Sequence, residues 1–276
     1  MAAVTFLLCT LHLNARGINL GGKDFLSDSV AGQTEMHANP PTLNIIGVDG
    51  SHDTLRRVVG NHAPCRILDV PAGEGVFCAF LKERGWQVEA ADIDPGNFKL
   101  RDVPFTVVNL NNSLPFQDGL FDAVSCVNGL HRLLFPEVAI REFSRILKPG
   151  GRLYININNY SSIWKRLRFL VAGSLDQMIE TQECIQTITD PEAHVRLPLM
   201  FPRLHAMLTR NRFEVVEVRP AAVTARDRSL IPLAMLLYGI GRLIPAQQRA
   251  QLRIDDGNHW TVLAGGAYIF IHSIKR

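Results

Sequence analysis

The residues best suited to chemistry stand in a glycine-rich run, Asp69-Val-Pro-Ala-Gly73-Glu-Gly75, which follows an apolar segment and precedes a helical pattern. Glycines at the end of a strand let the backbone turn sharply and let a ligand approach without a Cβ atom in the way. The free amides at the start of the following helix can then donate to that ligand. Because glycine-rich turns are also common without any ligand, the run indicates a binding loop only together with its surroundings.

Asp92 is the neighbouring feature that indicates a binding site. It closes the next predicted strand 23 residues after Asp69, close to the spacing of about 20 residues at which an acidic side chain binds ribose hydroxyls. A pyrophosphate is disfavoured, because Asp69 and Glu74 would repel it. Cys78 also stands where a dinucleotide-binding loop has its third glycine, which argues against an NAD-dependent oxidoreductase. The sequence therefore predicts a ligand with a ribose and a positive charge but no phosphate.

Five ordered motifs resemble those of class I S-adenosylmethionine-dependent methyltransferases of the methyltransferase type 11 kind, over about residues 44–220. They are the run Ile67–Gly75, Asp92, Asn109-Leu110 with Leu114-Pro115-Phe116, the pair Phe121-Asp122, and Arg145-Ile-Leu-Lys-Pro-Gly-Gly151. The resemblance implies S-adenosyl-L-methionine as cofactor, which has the ribose and the cation that the loop predicts.

The resemblance also implies which residues contact this cofactor. In the family, the glycine-rich turn lies under the methionine part, the acid that ends the second strand binds the ribose, and residues after the third strand frame the adenine. The implied contacts in this chain are Asp69, Ala72, Gly73, Gly75, Asp92, Ile93, Asn109 and Leu110, with Asn128 in the loop after the fourth strand. Two positions depart from the family pattern: Pro71 replaces a usual glycine, and Asn109 stands where an acid is frequent.

Two histidines are the candidates for catalysis. His131 lies in the loop Asn128–Leu133, which faces the sulfonium in this family, and its unperturbed pKa of about 6.5 suits a general base that removes a proton from an oxygen acceptor. His194 lies where relatives also place a histidine near the substrate pocket. Their alternative roles are structural, at a helix start for His131 and in a lid for His194. Relatives often have Glu-His where this chain has His131-Arg132, and the loss of that carboxylate predicts no metal dependence.

The elements that must position these residues alternate between short apolar runs and helical patterns from Arg66 onward, which is typical of a parallel sheet covered by helices. A helix is predicted after the glycine run, and another from about Pro136 to a turn at Pro149–Gly151. The predicted strands are Arg66–Val70, Val88–Ala91, Phe105–Val108, Phe121–Val127, Arg152–Ile157, Phe213–Val218 and Ala267–Ser273. The predicted fold class is α/β, a doubly wound, Rossmann-like and mostly parallel sheet of seven strands with helices on both faces.

Three parts of the chain are expected. Residues 1–43 form a poorly ordered N-terminal extension, residues 44–220 form the cofactor-binding domain with an insert at about 159–200, and residues 221–276 add an apolar helix and a final strand. The apolar stretch Ala2–Leu13 lacks the preceding cation and the cleavage site of a signal peptide, and the chain start is compatible with either Met1 or Met36.

Composition excludes several other classes of protein. With 29 Lys and Arg against 26 Asp and Glu, the net charge of +3 is too balanced to indicate a nucleic-acid partner. The five cysteines are scattered without a C-x-x-C pair, so neither a disulfide framework nor a zinc site is predicted. A reducing, cytoplasmic location is expected.

Two segments bear on the methyl acceptor. Lys165, Arg166 and Arg168 alternate with apolar residues, which is typical of an amphipathic helix that covers a sheet edge. Together with the apolar run Leu230–Leu243, the same residues are also compatible with a peripheral surface for a membrane-borne acceptor.

The leading hypothesis is methylation of a hydroxyl on a small molecule, a sugar or a lipid-linked glycan. The alternative is a partner subunit that binds the cofactor without catalysis. The sequence leaves the oligomeric state open.

Overall fold

A computed structural model of the protein describes residue 43, residues 51–173 and residues 198–276. The described residues belong to one compact unit, Pro41–Arg276. Almost all of the expected N-terminal extension, most of the second half of the expected insert and His194 lie outside the described residues.

Seven strands make up the sheet. They are β1 (Arg66–Asp69), β2 (Gln87–Asp92), β3 (Phe105–Val107), β4 (Phe121–Cys126), β5 (Leu147–Asn158), β6 (Phe213–Ala221) and β7 (Tyr268–Lys275). The described helices are α1 (Ser51–Gly60), α2 (Val76–Glu83), α3 (Pro136–Ile146), α4 (Ile163–Ala172), α5 (Phe201–Arg210), α6 (Ala225–Ser229), α7 (Ile231–Leu243), α8 (Ala246–Gln251), α9 (Ile254–Gly257) and α10 (Trp260–Leu263). A short 3₁₀ turn covers Leu130–Arg132.

The strands are ordered β3-β2-β1-β4-β5-β7-β6 across the sheet. Strands β1 to β5 pair in parallel, and β7 is antiparallel to both of its neighbours. This arrangement confirms the predicted fold class of a doubly wound, mostly parallel sheet of seven strands.

Both faces of the sheet are buried, which explains why its strands are continuous apolar runs. Successive strand residues point to opposite faces, and Ile67 and Leu68 accordingly belong to two different apolar clusters. Helices α1 and α2 contribute to the cluster of Ile67, and α3 and α5 contribute to the cluster of Leu68. The apolar stripe of each helix therefore packs on the sheet.

The start of β5 differs from the sequence prediction. The prediction placed a turn at Pro149–Gly151 before a strand at Arg152, whereas the strand begins at Leu147, directly after α3. Leu147 pairs with Phe121, and the ladder resumes only where Arg152 pairs with Ala123. The glycines thus form an irregularity inside the strand, with Gly150 at φ +75°, because the pairing with β4 continues on both sides of them.

The C-terminal part contains the predicted apolar helix as α7 and the predicted last strand as β7. Strand β7 lies inside the sheet between β5 and β6. The short helices α8, α9 and α10 connect α7 to β7 and were not predicted.

Candidate functional site

A cavity of about 440 Å³ opens at the carboxyl ends of the central strands. The chain runs from β1 outward to β2 and β3 on one side and continues with β4 and β5 on the other. Open α/β sheets bind ligands where the strand order reverses in this way. The size of the cavity is typical of a site for a small molecule or a cofactor.

All predicted cofactor contacts except Gly75 line this cavity. They are Asp69, Ala72 and Gly73 after β1, Asp92 and Ile93 at the end of β2, Asn109 and Leu110 after β3, and Asn128 after β4. The structure therefore brings together residues that the sequence spreads over 60 positions. Their contacts with the cofactor stay predictions.

Gly75 shapes the loop and does not line the cavity. Its φ is +94°, a conformation that residues with a Cβ rarely adopt. A Cβ atom at this position would lie 2.9 Å from Cδ1 of Leu100. The glycine therefore serves the turn into α2 and the close packing there, and its predicted contact with the cofactor stays a prediction.

The carboxylate of Asp92 connects the loop after β1 with the loop after β2. The backbone N–H of Gly73 donates to its Oδ2 at 2.8 Å, and the N–H of Ile93 donates to its Oδ1 at 2.7 Å. Asp92 is buried, so these bonds fix the orientation of the acid before any ligand arrives. The N–H of Asp94 also donates to Oδ1, at 3.3 Å. Since each carboxylate oxygen can accept two hydrogen bonds, Oδ2 retains the capacity to accept from a ligand hydroxyl.

Asp69 lies deeper in the cavity wall. The hydroxyl of Ser125 donates to its Oδ1 at 2.6 Å, and the thiol of Cys78 donates to its Oδ2 at 3.2 Å. Burial raises the pKa of Asp69 to about 6, and the bond from Ser125 opposes that rise. Near neutral pH the group is therefore mainly a carboxylate, and among the described residues Ser125 and Cys78 donate to it.

Asn156 holds the end of β4 in place. Its side-chain Nδ2 donates to Oδ1 of Asn128 at 3.0 Å, and the backbone N–H of Asn128 donates back to its Oδ1 at 2.5 Å. Asn128 has φ +55°, in the left-handed region that asparagine tolerates better than most residues. The sequence reasoning missed Asn156, although a polar residue between Ile155 and Ile157 in a buried strand was a usable signal.

Asn109 is oriented by its own loop. Its side-chain Oδ1 accepts from the backbone N–H of Asn111 at 2.9 Å. The expected hydrogen bond from an adenine amino group to this oxygen would have to share it with Asn111.

The loop after β4 separates His131 from Arg132. Gly129 lies against Pro71, and a Cβ atom on it would lie 2.5 Å from Cδ of that proline. The 3₁₀ turn that follows buries His131, whereas Arg132 and Leu133 line the cavity. Neighbours in a 3₁₀ turn point about 120° apart, so Arg132 lines the cavity and His131 does not. The catalytic role of His131 stays a prediction.

Acidic groups dominate the charge of the cavity lining. Asp69, Glu74, Asp92 and Asp94 are the acids, and Arg132 is the basic residue among the described residues that line it. Glu74 also forms an ion pair with Lys99, with 2.8 Å between Nζ and Oε2. Such a lining favours a ligand with a positive charge over a pyrophosphate. These donors and acceptors fit an adenosyl sulfonium.

The described part of the chain contains neither a cluster of metal ligands nor a helix that could span a membrane. Within residues 51–173 and 198–276, no three His, Cys, Asp or Glu side chains come together as a metal site. No helix in those ranges combines the length and the apolar character needed to cross a membrane. The prediction that the protein needs no metal stays a prediction.

Residues 68–155 match a family model described as a methyltransferase domain. A demethylmenaquinone methyltransferase of Corynebacterium urealyticum is 41% identical over 93 residues, which are 33% of this chain and 40% of the relative. A ubiquinone biosynthesis O-methyltransferase of Xanthomonas oryzae pv. oryzae is 33% identical over 106 residues, 35% of this chain and 44% of the relative. The chain thus spans less than half the length of these curated relatives.

Solved structures share the fold at low sequence identity. A SAM-dependent methyltransferase of Thermotoga maritima, described as a possible histamine N-methyltransferase, superimposes with a TM-score of 0.51 at 17% identity, over 82% of this chain and 90% of its own. An S-adenosylmethionine-dependent methyltransferase of Mesorhizobium loti gives a TM-score of 0.51 at 14% identity, over 82% and 99% of the two chains. Residues 68–155 are therefore similar to a methyltransferase domain, and the chain has the fold of these two solved methyltransferases.

Proposed function

We propose that this chain binds S-adenosylmethionine in the acidic cavity and transfers its methyl group to a hydroxyl of a small molecule, a sugar or a lipid-linked glycan. The observation that carries the proposal is the buried Asp92 carboxylate, which the N–H groups of Gly73 and Ile93 orient at the strand-order reversal of a methyltransferase-family domain. When bound, this cofactor supplies an electrophilic methyl group on a sulfonium.

The protein would contribute mainly position and charge. Asp92 accepts from the ribose hydroxyls, and Ile93, Asn109 and Leu110 frame the base. The backbone at Ala72 and Gly73 leaves room for the methionine part, and the Asp69 carboxylate favours its positive groups. Holding acceptor and donor in line without competing water supplies much of the acceleration in a displacement of this kind.

An oxygen acceptor must also lose its proton. Among the described residues that line the cavity none is a histidine, so the general base in this proposal is His194, which lies outside the described residues. His131 is buried beside the cavity and would act only after the turn at Leu130–Arg132 had rearranged.

The similarity to known proteins does not determine the methyl acceptor of this chain. The family match ends at residue 155, within β5, so it covers the cofactor half of the fold. The relatives named for menaquinone and ubiquinone biosynthesis support methyl transfer in general, and their names add a quinone-type ring as an acceptor to test.

A second candidate function is cofactor binding without catalysis, as a partner subunit. It is favoured by the burial of His131 in the loop where the family places groups near the sulfonium. In that case the chain would retain S-adenosylmethionine and methylate nothing.

Calorimetric titration tests the cofactor site. The native chain should bind S-adenosylmethionine and S-adenosylhomocysteine, and Asp92→Ala should weaken the binding of both by at least about tenfold, because a hydrogen bond to a charged group is lost. Asp92→Asn keeps one acceptor and should bind with intermediate affinity. Asp102→Ala is the control, since Asp102 is an exposed acid that pairs with Lys82 outside the cavity. Equal affinity of Asp92→Ala and the control would refute the site.

Turnover separates the two candidate functions. Labelled S-adenosylmethionine would be incubated with a lipid extract, a sugar extract and a quinol. His194→Ala should retain cofactor affinity and lose methyl transfer, and His131→Ala should retain both if the native chain is active. Full activity of His194→Ala would reject it as the base. Absence of transfer from a chain that binds the cofactor would favour the partner subunit.

A further inference from the structure

Helix α7 is apolar on the side that faces away from the protein as well as on the side that faces inward. Its thirteen residues include one charged residue, Arg242. Ala234 and Gly241 are buried on its inner side, whereas Met235, Leu236, Tyr238, Ile240 and Leu243 are exposed. A helix that is apolar all round is normally buried all round, so the outer side of α7 requires a partner.

The C-terminal half of α4 is also apolar and exposed. Phe169, Leu170 and Val171 are exposed, with Leu170 at 80%. The two helices meet in one apolar cluster, in which Ile163 and Ala234 are buried. We call the exposed apolar residues of α4 and α7, with the cations beside them, the apolar-basic surface.

A groove of about 360 Å³ adjoins the apolar-basic surface. It is lined by Ile240 of α7 and by Met200 and Leu252, and all three side chains are themselves exposed. The exposed apolar area therefore continues from the helices into a cleft, as contiguous patches at interaction sites do.

Exposed cations accompany these apolar residues. In helices α4, α6 and α7, the exposed cations on which docking would depend are Arg226, Arg228 and Arg242. The acid in these three helices is Asp227, which is buried and caps α6 together with Thr224. On the neighbouring α9, Asp255 and Asp256 pair with Arg249 and Arg253.

We propose that the apolar-basic surface docks on an anionic lipid bilayer. Exposed leucines and aromatic residues with flanking arginines are the composition of elements that lie in the membrane interface, and each cation near an anionic surface adds to the attraction. A second copy of the chain is disfavoured, because a self-complementary contact would place these cations against one another. The proposal is independent of methyl transfer and would bring the chain to lipid-borne molecules.

Vesicle flotation tests the proposal with the full chain. The native chain should float with vesicles of phosphatidylglycerol and phosphatidylcholine and remain at the bottom with phosphatidylcholine alone. Added salt should reduce binding, because it screens the attraction between exposed cations and lipid headgroups.

Two sets of variants assign the binding to this surface. Leu236→Gln with Leu243→Gln, at positions 58% and 84% exposed, should weaken binding by about tenfold or more, because two leucines no longer enter the interface. Val107→Gln with Val216→Gln is the matched control, since these valines are 57% and 54% exposed on the edge strands β3 and β6. Arg228→Gln with Arg242→Gln should weaken binding to anionic vesicles at least about fivefold.

Several outcomes would overturn the proposal. They are a native chain that does not float, leucine variants that bind like the valine control, and a dimer in sedimentation equilibrium that the leucine variants abolish. Asp92→Ala should float like the native chain, which keeps a failure of the cofactor site distinct from a failure of membrane docking.

Discussion

The buried carboxyl of Asp69 couples the folding of the chain to pH. Its pKa is raised from the ordinary value of 3.8 to about 6, mainly by burial. The folded state therefore binds a proton more tightly than the unfolded state does. Its contribution to stability is present in full below about pH 4 and is lost as the pH rises to about 6, above which it changes no further.

We expect Asp69→Asn to remove this dependence. Between pH 4 and pH 7, the native chain should lose about 2 to 3 kcal/mol of unfolding free energy that the variant does not lose. One unit of pKa corresponds to about 1.4 kcal/mol. Urea unfolding followed by circular dichroism at several pH values measures it. Asp53→Asn, at an exposed position in α1, is the control, and parallel pH curves for the native chain and Asp69→Asn would contradict the prediction.

Contacts between elements explain the spacing of two motifs in the chain. The guanidinium of Arg145, at the end of α3, donates to the carbonyls of Leu114 and Phe116. Glu142, one turn earlier, accepts from the backbone N–H of Leu114 at 2.8 Å. The Leu114–Phe116 loop therefore binds directly to the start of the Arg145–Gly151 motif. These hydrogen bonds hold the connection between β3 and β4 against α3.

Gly75, in the turn from β1 into α2, has a positive φ that an alanine would adopt only at a cost. We expect Gly75→Ala to lower the free energy of unfolding by about 2 to 4 kcal/mol, because it adds the cost of a left-handed residue to an overlap with Leu100. Gly119→Ala should cost only about 1 kcal/mol, since Gly119 has φ +61° but nothing lies within 4 Å of an added Cβ atom. Urea unfolding compares the two variants, and equal losses would show that the packing against Leu100 is not important.

A half-buried cation connects α4 to the C-terminal helices. Arg166 of α4 donates to the carbonyl of Ser161 at 2.8 Å, to Oδ1 of Asn258 at 2.8 Å and to the carbonyl of Gly257 at 2.5 Å. Burial lowers its pKa. These bonds join segments about 90 residues apart in sequence and hold the helices that form the apolar-basic surface.

Replacing Arg166 by Met should loosen these helices as a unit. Amides of α4, α7 and α9 should exchange with deuterium faster, and the increase should correspond to a loss of about 1 to 3 kcal/mol in local stability, because three hydrogen bonds are lost. Amides of β1 and β4 should keep their protection. Arg168→Met, at an exposed position on the same helix, is the control. An equal increase in exchange throughout the sheet would contradict the prediction.

The amino-acid sequence was sufficient to predict the strands of the sheet and the main helices that cover it. Apolar runs and helical stripes predicted the strands and the helices that cover them, because burial on a sheet requires these periods. The acid at the end of β2 and the glycine run after β1 predicted the cavity, because the carboxyl ends of parallel strands meet at one edge.

Tertiary structure alone decided which way several of these residues face. His131 and Arg132 are adjacent in sequence, but a turn packed under Pro71 buries the first and exposes the second to the cavity. Pairing of Leu147 with Phe121 moved the glycines Gly150 and Gly151 into a strand, and β7 was inserted between two earlier strands. The outer side of α7 was left exposed. Each outcome depends on contacts between residues far apart along the chain, for which a local pattern contains no information.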